Sequence, residues 1–204
     1  VGLNYPLFDY TRGEVSYTYD HGRVSNIDED AADSIKDLKG LNIKSSVTGA
    51  IGYDSRNSLF NPSRGSDHSI SVEYAGLGGD IGFIKYIGET AWYYNLFWDA
   101  VVVGHAKGGY VDGSPNKKLP DYEKFYMGGI DSLRGFERDD LSPRDDQNKR
   151  VGGNKFAQFN FEFRYLLLKE TGIVGVAFFD TGNVWGDDEE VKLSDMRESA
   201  GVGI

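Results

Sequence analysis

The chain has 204 residues, enough for one domain of ordinary size, and a formal net charge of -10 from 22 Lys and Arg against 32 Asp and Glu. This acidic balance argues against a nucleic-acid partner, which would require a basic face. The chain contains no cysteine, which excludes disulfides and thiolate metal sites. Tyr, Phe and Gly are abundant and no apolar run of about 18 residues occurs, so the composition favours a β-rich protein without a membrane-spanning helix.

Both ends of the chain have the character of β-strands. The first residues, Val1 to Tyr5, lack the charged and apolar regions of a signal peptide. The last residue, Ile204, also lies in strand-like sequence. We therefore expect the chain to be an interior part of a longer protein.

Apolar and polar residues alternate along most of the chain. Val15, Tyr17 and Tyr19, for example, are separated by polar residues. Successive side chains of a strand point to opposite faces, so this pattern predicts strands with one apolar and one polar face. A tight turn is predicted at 76–79. The predicted strands lie at about 1–8, 11–22, 41–54, 66–76, 80–97, 98–111, 153–168, 172–185 and 196–204.

One connection has a helical pattern. Ala31, Ile35 and Leu38 are spaced as on one helix face, acids precede them at 28–30, and Gly40 follows. Acids at the start and glycine after the end are typical helix boundaries. The pattern predicts a short helix near 29–39, and a disordered acidic loop is the alternative.

Two all-β architectures fit these strands. A soluble sandwich, as used for adhesion, would bury the apolar faces against a second sheet. An antiparallel transmembrane β-barrel would turn them to lipid and keep a polar lumen. The long strands, the Gly and Ala on the apolar faces, and the Tyr and Trp near strand ends favour the barrel. We therefore predict an incomplete barrel of about nine strands, forming an open curved sheet.

The predicted strand 153–168 shows the two faces most clearly. Its even-numbered polar residues should face the lumen, and its odd-numbered aromatic residues should face lipid. The inward set is Gln158, Asn160, Glu162 and Arg164, and the outward set is Phe159, Phe161, Phe163 and Tyr165.

The long connection before this strand, at about 112–152, is too apolar to be a solvated tail. It contains Leu133-Arg134-Gly135-Phe136, in which Arg134 offers a planar fork of donors. Glu162 and Asp180 lie on the two following strands. Charge is costly on a lipid face, so both acids should point inward. We therefore predict that the connection folds into the lumen as an inward loop and that Asp180 and Glu162 hold Arg134.

No catalytic or metal-binding constellation is predicted. His21, His68 and His105 lack the spacing of paired ligands and are interpreted as polar surface or lumen residues. The acidic runs at 139–140, 145–146 and 187–190 lack the spaced ligands of a calcium loop and are interpreted as solvated charge. No metal or other cofactor is expected.

A turn motif connects two of the predicted strands. It contains Asp54 and Arg56, followed by Pro62 and Gly65. Asp bonds to the nearby backbone, and Pro and Gly fix a bend, so a structural role accounts for this segment.

Together these stretches resemble the BamA-type family of outer-membrane β-barrel assembly proteins, within the bacterial surface antigen superfamily. The turn motif is similar to the family's D-x-R-x…P-x-x-G turn. The segment 122–129 followed by 133–136 is similar to its large inward loop, with Leu133 in place of the usual Val. The segments 152–163 and 178–185 resemble the two following strands.

The resemblance implies a sixteen-stranded barrel behind periplasmic POTRA domains, of which residues 1–204 would form strands six to fourteen. It implies residence in the bacterial outer membrane and a role in folding β-barrel proteins into it, without enzymatic activity. The expected partners are outer-membrane lipids, unfolded β-barrel clients and accessory lipoproteins. The alternative is a two-partner secretion or translocation pore of the same superfamily, which carries a similar loop.

Overall fold

The computed structural model describes residues 1–27, 36 and 38–204. In this part of the chain, no helix has the length and apolar character needed to cross a membrane. Short 3-10 helices occur at Asp121–Glu123 and Leu193–Asp195. The strands are β1 (Gly2–Phe8), β2 (Thr11–Val24), β3 (Gly40–Asp54), β4 (Gly65–Gly79), β5 (Phe83–Asn95), β6 (Ala100–Gly113), β7 (Lys155–Leu168), β8 (Ile173–Trp185) and β9 (Arg197–Gly203).

The nine strands form a single antiparallel sheet in which each strand pairs with its neighbours in sequence. Among the described residues, no pairing joins β1 to β9, so the sheet is open. The prediction of an all-β, incomplete antiparallel barrel is therefore confirmed. The alternative sandwich is wrong for the described ranges, because their strands contribute to one sheet and no second sheet covers it.

The structure differs from the predicted elements in one turn. The strand predicted to end at Gly76 continues to Gly79, because Gly79 pairs with Lys44 across a register shift in β3. Gly76 itself has a positive φ of 143° and lies within this irregular part of the ladder. The predicted helix near 29–39 falls largely on residues outside the described ranges.

One face of the sheet carries exposed, large apolar side chains. Phe161 is 53% exposed on β7, whereas its polar neighbour Asn160 is buried on the opposite face. The faces predicted for this strand are therefore confirmed. Uncovered apolar surface of this extent is rare on a soluble monomer and suits contact with lipid. Other outward residues are Leu3, Tyr5, Val15, Tyr17, Ile51, Ile70, Tyr86, Trp92, Phe163 and Tyr165.

An aromatic row lies on this outward face near the β3–β4 turn. The His68 ring stacks on Tyr53, with 5.7 Å between centroids, and lies 4.8 Å from Trp92. His68 Nδ1 is 2.6 Å from Thr90 Oγ1. Tyr and Trp favour the boundary between membrane and water, so the row is typical of the edge of a membrane-embedded surface.

The core of the structure lies on the inward face, beneath the connection between β6 and β7. One buried cluster contains Ala75, Ile81, Phe83 and Val111 and is covered by Leu119 and Phe125. A second contains Met127, Leu133 and Val184 and is covered in part by Phe125 and Phe156. The sheet therefore buries apolar surface mainly against this connection.

The two faces give a direct mutational test on β4. Ile70 points outward and is 57% exposed, whereas Ser69 points inward and lines a cavity with Arg12 and Asp54. An arginine on the lipid face costs roughly 2–4 kcal/mol at mid-membrane and less towards either interface. We expect Ile70→Arg to reduce folding yield in lipid vesicles strongly, with Ser69→Arg close to the unsubstituted protein, as measured by heat-modifiable gel mobility. Equal yields for the two variants would contradict the assignment of the faces.

Candidate functional site: the inward loop and its anchors

The inward loop connects β6 to β7 and lies against the inward face of the sheet. It comprises residues 114–154, slightly later than the predicted 112–152, because Asp112 and Gly113 still pair with β5. We call residues 114–124 its first leg and residues 126–141 its second leg. Phe125 lies between them and pairs with Gly153 through two backbone hydrogen bonds of 2.9 Å. The loop is therefore an ordered part of the fold.

Arg134 lies at the centre of the second leg and is bound to both predicted acids. Its Nε and Nη2 donate to the two carboxylate oxygens of Asp180, each at 2.7 Å. Its Nη1 donates to Glu162 Oε1 at 2.6 Å. The backbone N–H of Arg134 also donates to Asp180 Oδ2 at 3.1 Å. One guanidinium fork therefore joins two strands of the sheet.

The sheet register explains this arrangement. Asp180 lies opposite Asn160 in the β7–β8 ladder, and Glu162 lies opposite Phe178, so the two acids are diagonal neighbours on the inward face. The guanidinium lies over the Phe178 ring, with 3.8 Å to its centroid. A cation over an aromatic face is stabilised by the ring's quadrupole. Phe178 was not among the residues predicted to contact Arg134, although parity alone places it on the same face as Asp180.

Asp180 is fully buried, with 0% of its side chain exposed. A buried carboxylate without a partner would carry a large desolvation cost. Arg134 supplies that partner, and the hydrogen bonds with Asp180 raise the pKa of Arg134 above its ordinary value. The guanidinium therefore stays charged at any physiological pH.

The neighbours of Arg134 shape the loop around it. Leu133 is fully buried against Met127 and Val184, and Phe136 packs on the edge of the same cluster. Gly135 has a φ of 87° and faces Ser199 of β9. A side chain here would be strained, because residues other than glycine rarely adopt this conformation.

Two amides of β7 bind the loop backbone next to Arg134. Asn160 Nδ2 donates to the Ser132 carbonyl oxygen at 2.9 Å, and Gln158 Nε2 donates to the same oxygen at 3.3 Å. The Asn160 amide oxygen is 2.9 Å from His105 Nδ1, and His105 Nε2 is 2.9 Å from Glu89. Sequence reasoning placed Asn160 inward but did not identify this contact, since Ser132 is bound through its backbone, which has no residue signature.

The turn motif, between β3 and β4, forms a cluster separate from that of Arg134. Arg56 donates to both oxygens of Asp54, at 2.9 and 2.8 Å, and reaches Asp67 at 2.8 Å. Pro62 is buried within the turn. Gly65 has a φ of 102°, and an added Cβ would collide with the Ser55 carbonyl. Asp67 was missed, although it pairs directly with Asp54 in the β3–β4 register.

The structure thus brings Leu133, Arg134, Gly135, Phe136, Glu162 and Asp180 together but leaves the turn motif outside this set. The two regions approach each other where Asn61 of the turn lines a cavity with Ile130 and Arg134. Within the described ranges, no group of three or more His, Cys, Asp or Glu side chains could hold a metal ion. The contacts that Arg134 and Leu133 make at the site are charge pairing and packing.

Comparison with known proteins defines the family. The Omp85 superfamily domain matches residues 1–204, and the chain belongs to this superfamily. The outer membrane protein assembly factor BamA of Nitratidesulfovibrio vulgaris is 33% identical over 201 residues, which cover 97% of this chain and 25% of the relative. The BamA of Neorickettsia risticii is 24% identical over 210 residues, covering 99% of this chain and 28% of that protein. The chain therefore spans about a quarter of the length of these curated relatives.

A solved structure and a eukaryotic relative extend the comparison. The crystal structure of BamA from Haemophilus ducreyi lacking POTRA domains 1–3 matches with a TM-score of 0.81 at 19% identity, covering 98% of this chain and 46% of that one. The sorting and assembly machinery component 50 homolog of Xenopus tropicalis is 33% identical over 127 residues, covering 62% of this chain and 27% of the relative. The fold is that of a bacterial outer-membrane β-barrel.

The Arg134 cluster can be tested with a double-mutant cycle. Removing one partner of a buried ion pair costs roughly 3–5 kcal/mol, because the other charge is left unpaired. We expect Arg134→Ala and Asp180→Ala each to expose the second leg to protease, and the double variant to be little worse than either alone. Arg138→Ala is the matched control, since Arg138 lies in the same loop and its side chain is 91% exposed. Additive effects of the two substitutions would show that the residues act independently.

The turn can be tested at Gly65. Gly65→Ala forces a side chain into a backbone conformation that costs roughly 1–3 kcal/mol, in addition to the collision with Ser55. We expect a lower temperature of heat modification in detergent. Gly49→Ala is the control, because an added Cβ there meets nothing within 4 Å. A Gly65→Ala variant as stable as Gly49→Ala would show that the turn does not need this conformation.

Proposed function

We propose that the chain forms part of the barrel of an outer-membrane assembly factor, which folds β-barrel proteins into the bacterial outer membrane. The observation that carries the proposal is the 33% identity to a BamA assembly factor over 97% of the chain. The contacts of Arg134 with Glu162 and Asp180 support it, because they hold the loop against the inward face of β7 and β8. The alternative of a secretion or translocation pore is not favoured, since the relatives compared are assembly factors.

The proposed activity requires no covalent step, and we infer that the protein is not an enzyme. A β-barrel can assist folding by offering unpaired backbone groups at a strand edge, on which a client strand forms hydrogen bonds. A barrel that thins the nearby bilayer also lowers the barrier to insertion. Both effects depend on a barrel wall of defined curvature, because curvature sets the orientation of the strand edges.

The inward loop would provide this curvature. Arg134 ties the second leg to β7 and β8 at once, and the buried cluster of Met127, Leu133 and Val184 fills the space between loop and wall. Fixing two adjacent strands to one rigid loop restricts their relative rotation. We infer that Leu133, Arg134, Gly135, Phe136, Glu162 and Asp180 form a loop lock that braces the barrel wall.

The open sheet implies further strands around it. Unpaired N–H and C=O groups at β1 and β9 would be costly in lipid, where no water can bond to them. We infer that the nine strands correspond to strands six to fourteen of a larger barrel. The proposed partners are membrane lipids on the outward face, unfolded β-barrel clients and accessory lipoproteins.

Complementation tests this function. A bacterial strain depleted of its own assembly factor would receive the full-length protein that contains this chain, either unsubstituted or with Arg134→Ala. We expect the unsubstituted protein to restore outer-membrane porin levels and the variant to restore them poorly at equal abundance, because the loop lock is lost. The Arg138→Ala variant should behave as the unsubstituted protein. Secretion of a soluble substrate without restored porin levels would instead support a pore.

A further inference from the structure

A second charged cluster joins the first leg of the loop to the sheet, on strands distant from Arg134. Glu123 Oε1 accepts from Lys44 Nζ at 2.7 Å, and Glu123 Oε2 accepts from Lys85 Nζ at 2.6 Å. Lys44 lies on β3 and Lys85 on β5. One loop carboxylate therefore binds β3 and β5, which lie on either side of β4. Arg134, a cation, binds the adjacent strands β7 and β8.

Two residues of the sheet, Glu73 and Phe83, surround the two lysines. Glu73 of β4 pairs directly with Lys85 in the β4–β5 register and lies 3.4 Å from Lys44. Both ammonium groups lie over the Phe83 ring, at 5.9 and 4.9 Å from its centroid. Phe83 is fully buried, and the Glu123 side chain is only 10% exposed. Lys44, Lys85 and Glu73 together carry one net positive charge, and the Glu123 carboxylate neutralises it.

The rest of the first leg follows the same part of the wall. Lys118 exchanges backbone hydrogen bonds with the β4–β5 turn, donating to Asp80 at 2.9 Å and accepting from Gly82 at 3.0 Å. Leu119 packs on the buried cluster around Phe83. The 3-10 helix Asp121–Glu123 then delivers the carboxylate to the lysines. Backbone pairing brings the leg to the wall, and Glu123 fixes its far end.

We propose that Glu123 is a second positioning residue of the inward loop, and that the loop ties two separate parts of the barrel wall together. Glu123 fixes the first leg to β3–β5, and Arg134 fixes the second leg to β7–β8. Phe125, which contacts both apolar clusters, connects the two legs. The inference rests on the proposed function, because the brace matters for assembly only if the barrel is an assembly factor.

The anchor can be removed from the wall side without altering the loop sequence. In the full-length protein, Lys44→Met and Lys85→Met together leave Glu123 beside Glu73 with no cation between them. We expect trypsin cleavage after Lys124 to rise at least about tenfold, because cleavage follows the population of the detached leg. Cleavage after Arg138, in the second leg, should stay unchanged. Lys107→Met is the matched control, since Lys107 is another wall lysine, paired with Glu89 at 3.1 Å.

A triple variant separates positioning from simple charge balance. Adding Glu123→Gln to the two lysine substitutions removes the stranded carboxylate, so heat stability should recover. Trypsin cleavage after Lys124 should nevertheless stay raised. Its rate is expressed relative to the rate at the same bond in the urea-unfolded protein. Recovery of both properties would show that Glu123 only balances charge, and unchanged cleavage in the double variant would overturn the anchor.

Complementation tests, independently of cleavage, whether the Glu123 anchor is needed for assembly. The Lys44→Met/Lys85→Met variant should restore porin levels only in part, with Arg134 still seated. Raised cleavage with full restoration would reject a role for the anchor in assembly. Failure of the unsubstituted protein to restore porins would reject the proposed function itself and would leave the cleavage result standing.

Discussion

The exclusion of charge from the lipid face is the constraint on which the inward side of this structure depends. It turns Asp180 and Glu162 inward, where burial makes an unpaired carboxylate costly. Arg134 meets this requirement from the loop, and Glu123 meets the complementary requirement of Lys44 and Lys85. The loop is therefore held by charge on the wall: its second leg supplies the cation that pairs with Asp180 and Glu162, and its first leg supplies the carboxylate that pairs with Lys44 and Lys85.

The strands and the Arg134 contacts follow from simple rules of sequence. A period of two assigns each face, and a charge on a strand that borders lipid must be on the inward one, so parity places Glu162 and Asp180 inward. Their pairing with Arg134 was predicted only together with the inference that the loop folds into the lumen. The Glu123 cluster could not be found this way. Lys44, Lys85 and Glu123 are far apart in sequence, and the first leg has no periodicity from which to place its side chains. The predicted end of β4 was wrong because the glycines at 76–79, which are typical of a turn, lie in a bulged part of the β3–β4 ladder.

The turn motif and the inward loop connect strands at opposite ends of the sheet, and their ion pairs have different structural effects. In the turn, Arg56 joins Asp54 and Asp67, which end one strand and begin the next, so the ion pairs fix a local bend. In the loop, the ionic contacts of Glu123 and Arg134 join segments far apart in sequence. The first arrangement can form as soon as β3 and β4 pair. The second requires β3 through β8 to be in place, so the loop can seat only on a largely formed wall.

The aromatic row of Tyr53, His68 and Trp92 has a consequence for how deeply the sheet is immersed. Tyr53 directly precedes Asp54, so the polar turn begins where the row ends. Rings that favour the headgroup region fix this edge of the sheet at one height in the bilayer. The Asp54–Arg56–Asp67 cluster lies on the inward face at nearly the same height as the row, and the outward apolar band begins at this height. In a thinner membrane, the adjustment between sheet and bilayer would then occur at the opposite ends of the strands, where the inward loop leaves the sheet.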